Sequence, residues 1–143
     1  VNVEVTNARS VAITGNTMWK GYAHNLKVTG SESVVISGNM LDRNPRYHYG
    51  DGAGSNNAVL LKDSKGVTFA GNHITAVTGG KGAVVVDSCE RVNISGCTIL
   101  DSSPIGILLT ETRQSKVSSC LILGENLKQA VQIEGGTQNI YSE

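Results

Sequence analysis

The chain has one Trp, four Tyr and three His, and six of these eight residues fall in two short segments. Trp19, Tyr22 and His24 lie within residues 19–27, and Tyr47, His48 and Tyr49 lie within residues 42–60. Together the segments make up about a fifth of the chain, so random placement would put about one or two of the eight there. Lys20, Arg43 and Arg46 share the same segments, and His73 follows closely. Aromatic faces with convergent cations suit a carbohydrate, because sugar C–H faces pack on rings and uronate carboxylates pair with Arg and Lys. Trp19, Tyr22, His24, Arg46, Tyr47, Tyr49 and His73 are therefore candidate sugar contacts. The competing reading is a surface loop that packs its own aromatics against the chain beneath it.

These residues must be positioned by a repeat. Apolar residues recur at Val5, Ile13 and Met18, then at Val28, Ile36 and Leu41, and at Leu61, Phe69 and Ile74. The pattern returns at Val86, Ile94 and Ile99, at Leu109, Val117 and Ile122, and begins again at Ile133 and Tyr141. The first step is always 8 residues and the second always 5, whereas the return to the next copy takes 10, 20, 12, 10 and 11. Within each copy apolar residues alternate, as in Val3/Val5 and Val34/Ile36, which means strands with one buried face. Three short strands per copy, repeated, predict an all-β fold: a right-handed parallel β-helix of about six rungs. Residues 1–143 form a single domain with a long loop at 42–58. Rungs stack about 4.8 Å apart, so Lys20 and Arg43, one local period apart, occupy neighbouring rungs, and Trp19 stacks under Asp42. The variable junction after the third strand is where functional side chains can collect.

The turn between the second and third strands reads Gly15-Asn16, Gly38-Asn39, Gly71-Asn72, Gly96-Cys97 and Ser119-Cys120. Stacked Asn side chains can hydrogen-bond rung to rung. Cys97 and Cys120 continue that column as small buried residues, and Cys89 sits in another turn with no basic partner at a matching rung. Three cysteines without metal-ligand spacing argue against a disulfide-stapled fold. Ser115 and Asn139 stand where inward Val residues are expected, so the last rungs read as decaying.

Twelve basic and twelve acidic residues cancel, which argues for neither a nucleic-acid partner nor a membrane surface. No apolar run is long enough for a transmembrane helix. The chain opens on the strand-like Val1-Asn2-Val3-Glu4-Val5, as a mature secreted protein or an excised segment would. Solenoids need capped ends, and no helical cap is visible, so the expectation is a longer solenoid or another chain over the open ends.

The Gly-Asn turns and the inward Val/Ile periodicity resemble the pectate lyase superfamily of right-handed parallel β-helices over almost the whole chain. Arg43-Asn44-Pro45-Arg46-Tyr47-His48-Tyr49-Gly50 is similar to that family's Arg-x-Pro-x-x-Arg segment, with His48 in place of its second Arg. The resemblance implies an extracellular, cell-surface or periplasmic polysaccharide lyase acting by β-elimination on a uronate-containing polysaccharide, with calcium as a cofactor. It also implies Arg43 as the base and Lys20 as a carboxylate ligand. Asp42 and Asp51 alone do not make a calcium site, which wants 6–8 oxygens. Arg stays protonated and is an awkward base, whereas His titrates near the working pH, so His48 is a second candidate base beside Arg43 and Lys20. Two alternatives stay open. One is a non-catalytic glycan-binding, adhesin or tailspike-type module. The other is a glycoside hydrolase drawing on carboxylates such as Asp42, Asp51 and Asp101, none of which forms a motif.

Overall fold

A computed structural model describes residues 1–21, 23–46 and 58–143. Each turn of the chain contributes three short strands. The first turn holds β1 (Val3–Thr6), β2 (Arg9–Thr14) and β3 (Thr17–Trp19), and the second β4 (Leu26–Thr29), β5 (Glu32–Ser37) and β6 (Met40–Asp42). The third holds β7 (Val59–Lys62), β8 (Lys65–Ala70) and β9 (His73–Thr75), and the fourth β10 (Val84–Asp87), β11 (Glu90–Ser95) and β12 (Thr98–Leu100). The fifth holds β13 (Ile105–Thr110), β14 (Lys116–Ser118) and β15 (Leu121–Leu123), and a sixth begins with β16 (Gln129–Glu134) and β17 (Ile140–Ser142).

The strands assemble into three parallel sheets, each collecting the same strand of successive turns. Sheet A runs β1-β4-β7-β10-β13-β16, sheet B runs β2-β5-β8-β11-β14-β17, and sheet C runs β3-β6-β9-β12-β15. This is the expected three-sided solenoid, with no helix among the described residues. Pairing is in register along the repeat: Val5 faces Val28, Val28 faces Leu61, Leu61 faces Val86, and Val86 faces Leu109. The columns Ile36–Phe69–Ile94 and Leu41–Ile74–Ile99 stack in the same way on the other two sides. Phe69, Leu26, Ile36, Leu41, Leu61, Ile74, Ile94 and Ile99 are fully buried between the sheets.

Not every buried residue points inward. Val85 and Leu108 alternate with inward neighbours in sheet A, yet their exposures are only 7% and 3%. The junction before β10 closes over this outer face: a Cβ at Gly82 would stand 3.5 Å from the Leu108 Cβ.

The corners bury backbone groups that no strand ladder satisfies, and side chains do it instead. At the turn between sheets B and C, Asn39 Oδ1 accepts from the backbone and side-chain nitrogens of Asn16, at 2.9 and 3.1 Å. Asn72 Oδ1 accepts the equivalent pair from Asn39, both at 3.0 Å, while Asn72 Nδ2 donates to the Ile36 carbonyl. Cys97 continues the column with its thiol against the Phe69 and Ser95 carbonyls. A second column, hidden in the sequence, lines the turn between sheets A and B: Ser31 Oγ accepts from Ala8 N, Ser64 Oγ from Ser31 N, and Thr112 Oγ1 from Cys89 N. The expected decay at Ser115 and Asn139 is a third column. Ser115 Oγ accepts from Val92 N at 2.9 Å, and Asn139 Oδ1 accepts from Ser115 N at 3.2 Å. A Val in either place would orphan a buried N–H, so the polar residues complete the rung.

Charge marks the same corner. Arg9, Glu32, Lys65, Glu90 and Arg113 occupy equivalent places in five successive turns, alternating in sign. Arg9 meets Glu32 at 2.7 Å and Arg113 meets Glu90 at 2.8 Å.

Removing Asn72 tests the columns. Asn72→Ala takes the acceptor from two Asn39 donors and the donor from the Ile36 carbonyl, and each buried orphan costs about 1–3 kcal/mol. Urea unfolding should therefore show a loss of about 2–4 kcal/mol, while Asn93→Ala, on the exposed side of sheet B, should stay within about 0.5 kcal/mol. Equal effects would mean that the column contributes nothing specific.

Candidate functional site

The first junction begins where β3 delivers Trp19 to the outer face of sheet C, half exposed at 51%. Register sets Trp19 beside Asp42, and Asp42 beside Thr75. His73 stands on the same sheet between Met40 and Thr98, two columns over. The next step of the chain places Lys20 and Arg43 in consecutive turns, with Lys20 N–H donating to the Asp42 carbonyl and Arg43 N–H to the Thr75 carbonyl. Lys20 has a positive φ of 41°, so the chain bends sharply there. Gly21 completes the bend: a Cβ would lie 2.1 Å from the His24 carbonyl oxygen and 2.5 Å from Asn2 Oδ1. No other residue fits that approach.

The side chains of Lys20 and Arg43 diverge in environment. Lys20 is half-buried. Arg43 is only 6% exposed and folds into the first junction, where Nη1 donates to the Gly21 carbonyl and Nη2 to the Ala23 carbonyl, the latter at 3.2 Å. A guanidinium fork spanning two backbone carbonyls is a strong clamp. Asn2 and Asn25 reinforce it: Asn2 Nδ2 donates to the Trp19 carbonyl, and Asn25 Nδ2 donates to Asn2 Oδ1 and the Met18 carbonyl. These bonds tie Arg43 to the segment that carries Trp19, Lys20 and half-buried His24. The second junction opens with a local turn in which Asp42 Oδ1 accepts from Asn44 N at 2.7 Å, leaving Arg46 exposed. Trp19, Lys20, His24, Arg43, Arg46 and His73 thus occupy one side of the solenoid's lower turns. Tyr22, Tyr47, His48 and Tyr49 lie outside the described residues.

Among the described residues no three His, Cys, Asp or Glu side chains converge to hold a metal ion. Burial pushes the Cys89 thiol up to about 11, which disfavours the thiolate that a nucleophile needs.

Sequence reasoning missed a second concavity. A cavity of about 480 Å³ opens along the corner between sheets A and B, lined by Asp63, Ser88 and Glu111 on one side and Lys65, Glu90 and Arg113 on the other. The signal was present as polar residues recurring one turn apart, but they carry no apolar pattern to draw attention. A smaller cavity of about 210 Å³ lies among Thr78, Asp101, Ser102, Ser103, Glu125 and Asn126.

Comparison with known proteins bears on the fold. The right-handed β-helix region family model matches residues 1–143. No curated protein matches the chain. Among solved structures, a candidate glycosyl hydrolase from Parabacteroides merdae ATCC 43184 superposes with a TM-score of 0.61 at 13% identity, covering 97% of this chain and 77% of that one. Trypsin-treated QnrB1, a plasmid-mediated fluoroquinolone resistance protein, aligns over 89% of this chain and 91% of its own at 10% identity with a TM-score of 0.21. The expected likeness to pectate lyase-like β-helices holds at the level of fold. With the family model spanning every turn of the solenoid, the chain belongs to the right-handed β-helix family.

Proposed function

We propose that this β-helix is carbohydrate-active and binds an acidic, uronate-containing polysaccharide across the face formed by the first two junctions. The observation that carries the reading is the register that gathers Trp19, Lys20 and the Arg43-held junction on neighbouring turns. A sugar ring would pack on Trp19, and uronate carboxylates would pair with Lys20 and Arg46. His24, His73, Tyr22, Tyr47 and Tyr49 are the further contacts of this reading. The glycosyl hydrolase candidate among the solved neighbours supports a carbohydrate ligand in general terms. Such a polymer also places the protein outside the cell, at its surface or in a periplasm.

Cleavage within this reading is β-elimination. A base removes the proton α to the uronate carboxylate, the glycosidic C–O bond β to that carbon breaks, and a C=C bond forms in the new end. Lys20 and Arg46 would neutralise the carboxylate as charge develops. His48 is the base of choice, because Arg43 is committed to two backbone carbonyls. The same commitment favours a second reading, a module that binds the polymer without cutting it.

Incubation with polygalacturonate, alginate and a heparin-type glycan, with and without calcium, separates the readings. A rise in the unsaturated-uronate absorbance that is lost in His48→Ala identifies elimination. Saturable binding without absorbance change identifies the module, and new reducing ends without unsaturation would overturn elimination in favour of hydrolysis. In either surviving case Trp19→Ala should weaken binding by several-fold.

Arg43→Lys distinguishes a clamp from a base. It keeps the charge but loses the fork, so the melting temperature should fall by a few degrees together with affinity. Lost turnover at an unchanged melting temperature would instead put Arg43 in the chemistry.

A further inference from the structure

The corner cavity has two unlike walls. On one, Asp63, Ser88 and Glu111 hold the same place in consecutive turns, all at positive φ of 48°, 55° and 46°. Gly30 and Gly135 take that place in other turns, so the corner accepts glycine, yet these turns keep polar side chains at a conformation that disfavours them. On the other wall, Lys65, Glu90 and Arg113 stack in register. Ser64 and Cys89 form the floor.

The charges of the second wall are largely answered within it. Glu90 pairs with Arg113 at 2.8 Å and with Arg91 at 3.5 Å, and Lys65 lies between Glu32 and Glu90 in the stack. The Arg113 guanidinium holds the Glu90 carboxyl below its usual range, so it stays ionised. The first wall is different. Ser88 Oγ donates to Asp87 Oδ1 at 2.8 Å, but among the described residues the carboxylates of Asp63 and Glu111 have neither ion pair nor hydrogen bond. The two residues stand two turns apart, about 10 Å along the axis at the spacing of stacked strands, and the Glu111 carboxylate lies over Gly135 in the turn beyond.

Three properties follow for a ligand. It is elongated, because the walls repeat along the axis. It both donates and accepts hydrogen bonds, because one wall offers unclaimed acceptors and the other offers Lys and Arg donors. It is not a polyanion, because three carboxylates outnumber two cations around the cavity. A metal ion is a poor occupant, since no three acidic, His or Cys groups converge among the described residues. Hydroxyl groups combine donor and acceptor without charge.

We propose that this corner groove is a second carbohydrate site, which takes an uncharged, hydroxyl-rich sugar chain along the helix axis. Asp63 and Glu111 accept from its hydroxyls, and Lys65 and Arg113 donate to them. The proposal borrows from the preceding reading only the class of ligand, and its charge preference is opposite to that of the Trp19 face.

Titrating ¹⁵N-labelled protein with uncharged hexasaccharides of glucose, mannose, galactose and xylose, and with hexagalacturonate, tests it by amide shift mapping. At least one uncharged hexasaccharide should shift the amides of residues 63–65, 88–90 and 111–113. The double variant Asp63→Asn, Glu111→Gln should weaken that binding about tenfold or more, with amides elsewhere unmoved, and Trp19→Ala should leave it unchanged. The groove proposal falls if none of the four uncharged sugars shifts these amides, if the double variant binds as tightly, or if hexagalacturonate binds there equally well. Should hexagalacturonate shift only the Trp19 face while the groove stays silent, the groove alone fails. Should the groove titrate while the Trp19 face responds to no glycan, the acidic-polysaccharide reading fails and the groove stands.

Discussion

In-register parallel stacking is the constraint on which the rest of this structure depends. Every residue in a turn must lie against its counterpart one turn away, so each position in the cross-section is a column with one chemical requirement. Apolar columns meet it by size and hydrophobicity, which leaves an ambiguity. A two-residue slip would return Val to Val or Ile on the inward face, because side-chain direction repeats every second residue. The corner columns remove that ambiguity. Asn39 receives from Asn16 and gives to Asn72 through paired bonds, and a slip of any size would break both and bury orphaned backbone nitrogens. The alternating Arg9–Glu32–Lys65–Glu90–Arg113 stack adds discrimination at the surface, since a displaced turn would lose opposite-charge neighbours. Hydrophobic burial thus supplies the driving force, and the polar columns select the register.

The same constraint decides where length can vary. An insertion inside a strand or at the Asn corner would shift a column, whereas an insertion after the third strand only lengthens a bridge between fixed ends. The long second junction between β6 and β7 is such a bridge. Freedom of length does not mean freedom of shape at the bridge's roots. Gly21 is pressed against His24 and Asn2, and Arg43, from the next turn, ties down the carbonyls of Gly21 and Ala23. One turn's junction is therefore shaped by the side chain that begins the following junction. This inter-turn coupling gives a surface made of loops the definition that a binding face needs.

Most of the fold was legible because the period is a property of the sequence itself. The 8 and 5 steps located one inward apolar column in each of the three sheets, and Gly-Asn pairs located one corner. What escaped had physical reasons. Val85 and Leu108 look like outward residues yet are buried, Leu108 against Gly82 of a junction whose path no strand pattern encodes. Ser115 and Asn139 looked like failures of an apolar column, because the N–H groups they satisfy belong to residues one turn away. Spacing correctly set Lys20 and Arg43 on neighbouring turns, yet it could not reveal that one side chain folds inward to backbone carbonyls. Register is read from periodicity, but rotamer and burial depend on what the junctions leave open. The corner groove was silent for a related reason: its residues are ordinary surface charges until stacking aligns them.

A solenoid of this kind differs from a compact enzyme in how it can present chemistry to a polymer. Its surfaces are rows repeating at the strand spacing, so a ligand that is itself a chain can run along them and meet similar groups turn after turn. Selectivity must then come from departures from repetition. On the sheet C side the departure is a tryptophan and a cluster of cations at the junction roots. At the opposite kind of corner it is a pair of unclaimed carboxylates two turns apart, facing an internally matched stack of charges. Lys20, Arg43 and Arg46 outnumber Asp42 beside Trp19, whereas three carboxylates outnumber two cations around the groove, and exposed charges farther apart than a Debye length of about 8–10 Å are largely screened from each other. One rigid scaffold can therefore hold two charge environments without either cancelling the other, because stacking fixes the side chains of each and the solvent separates their fields.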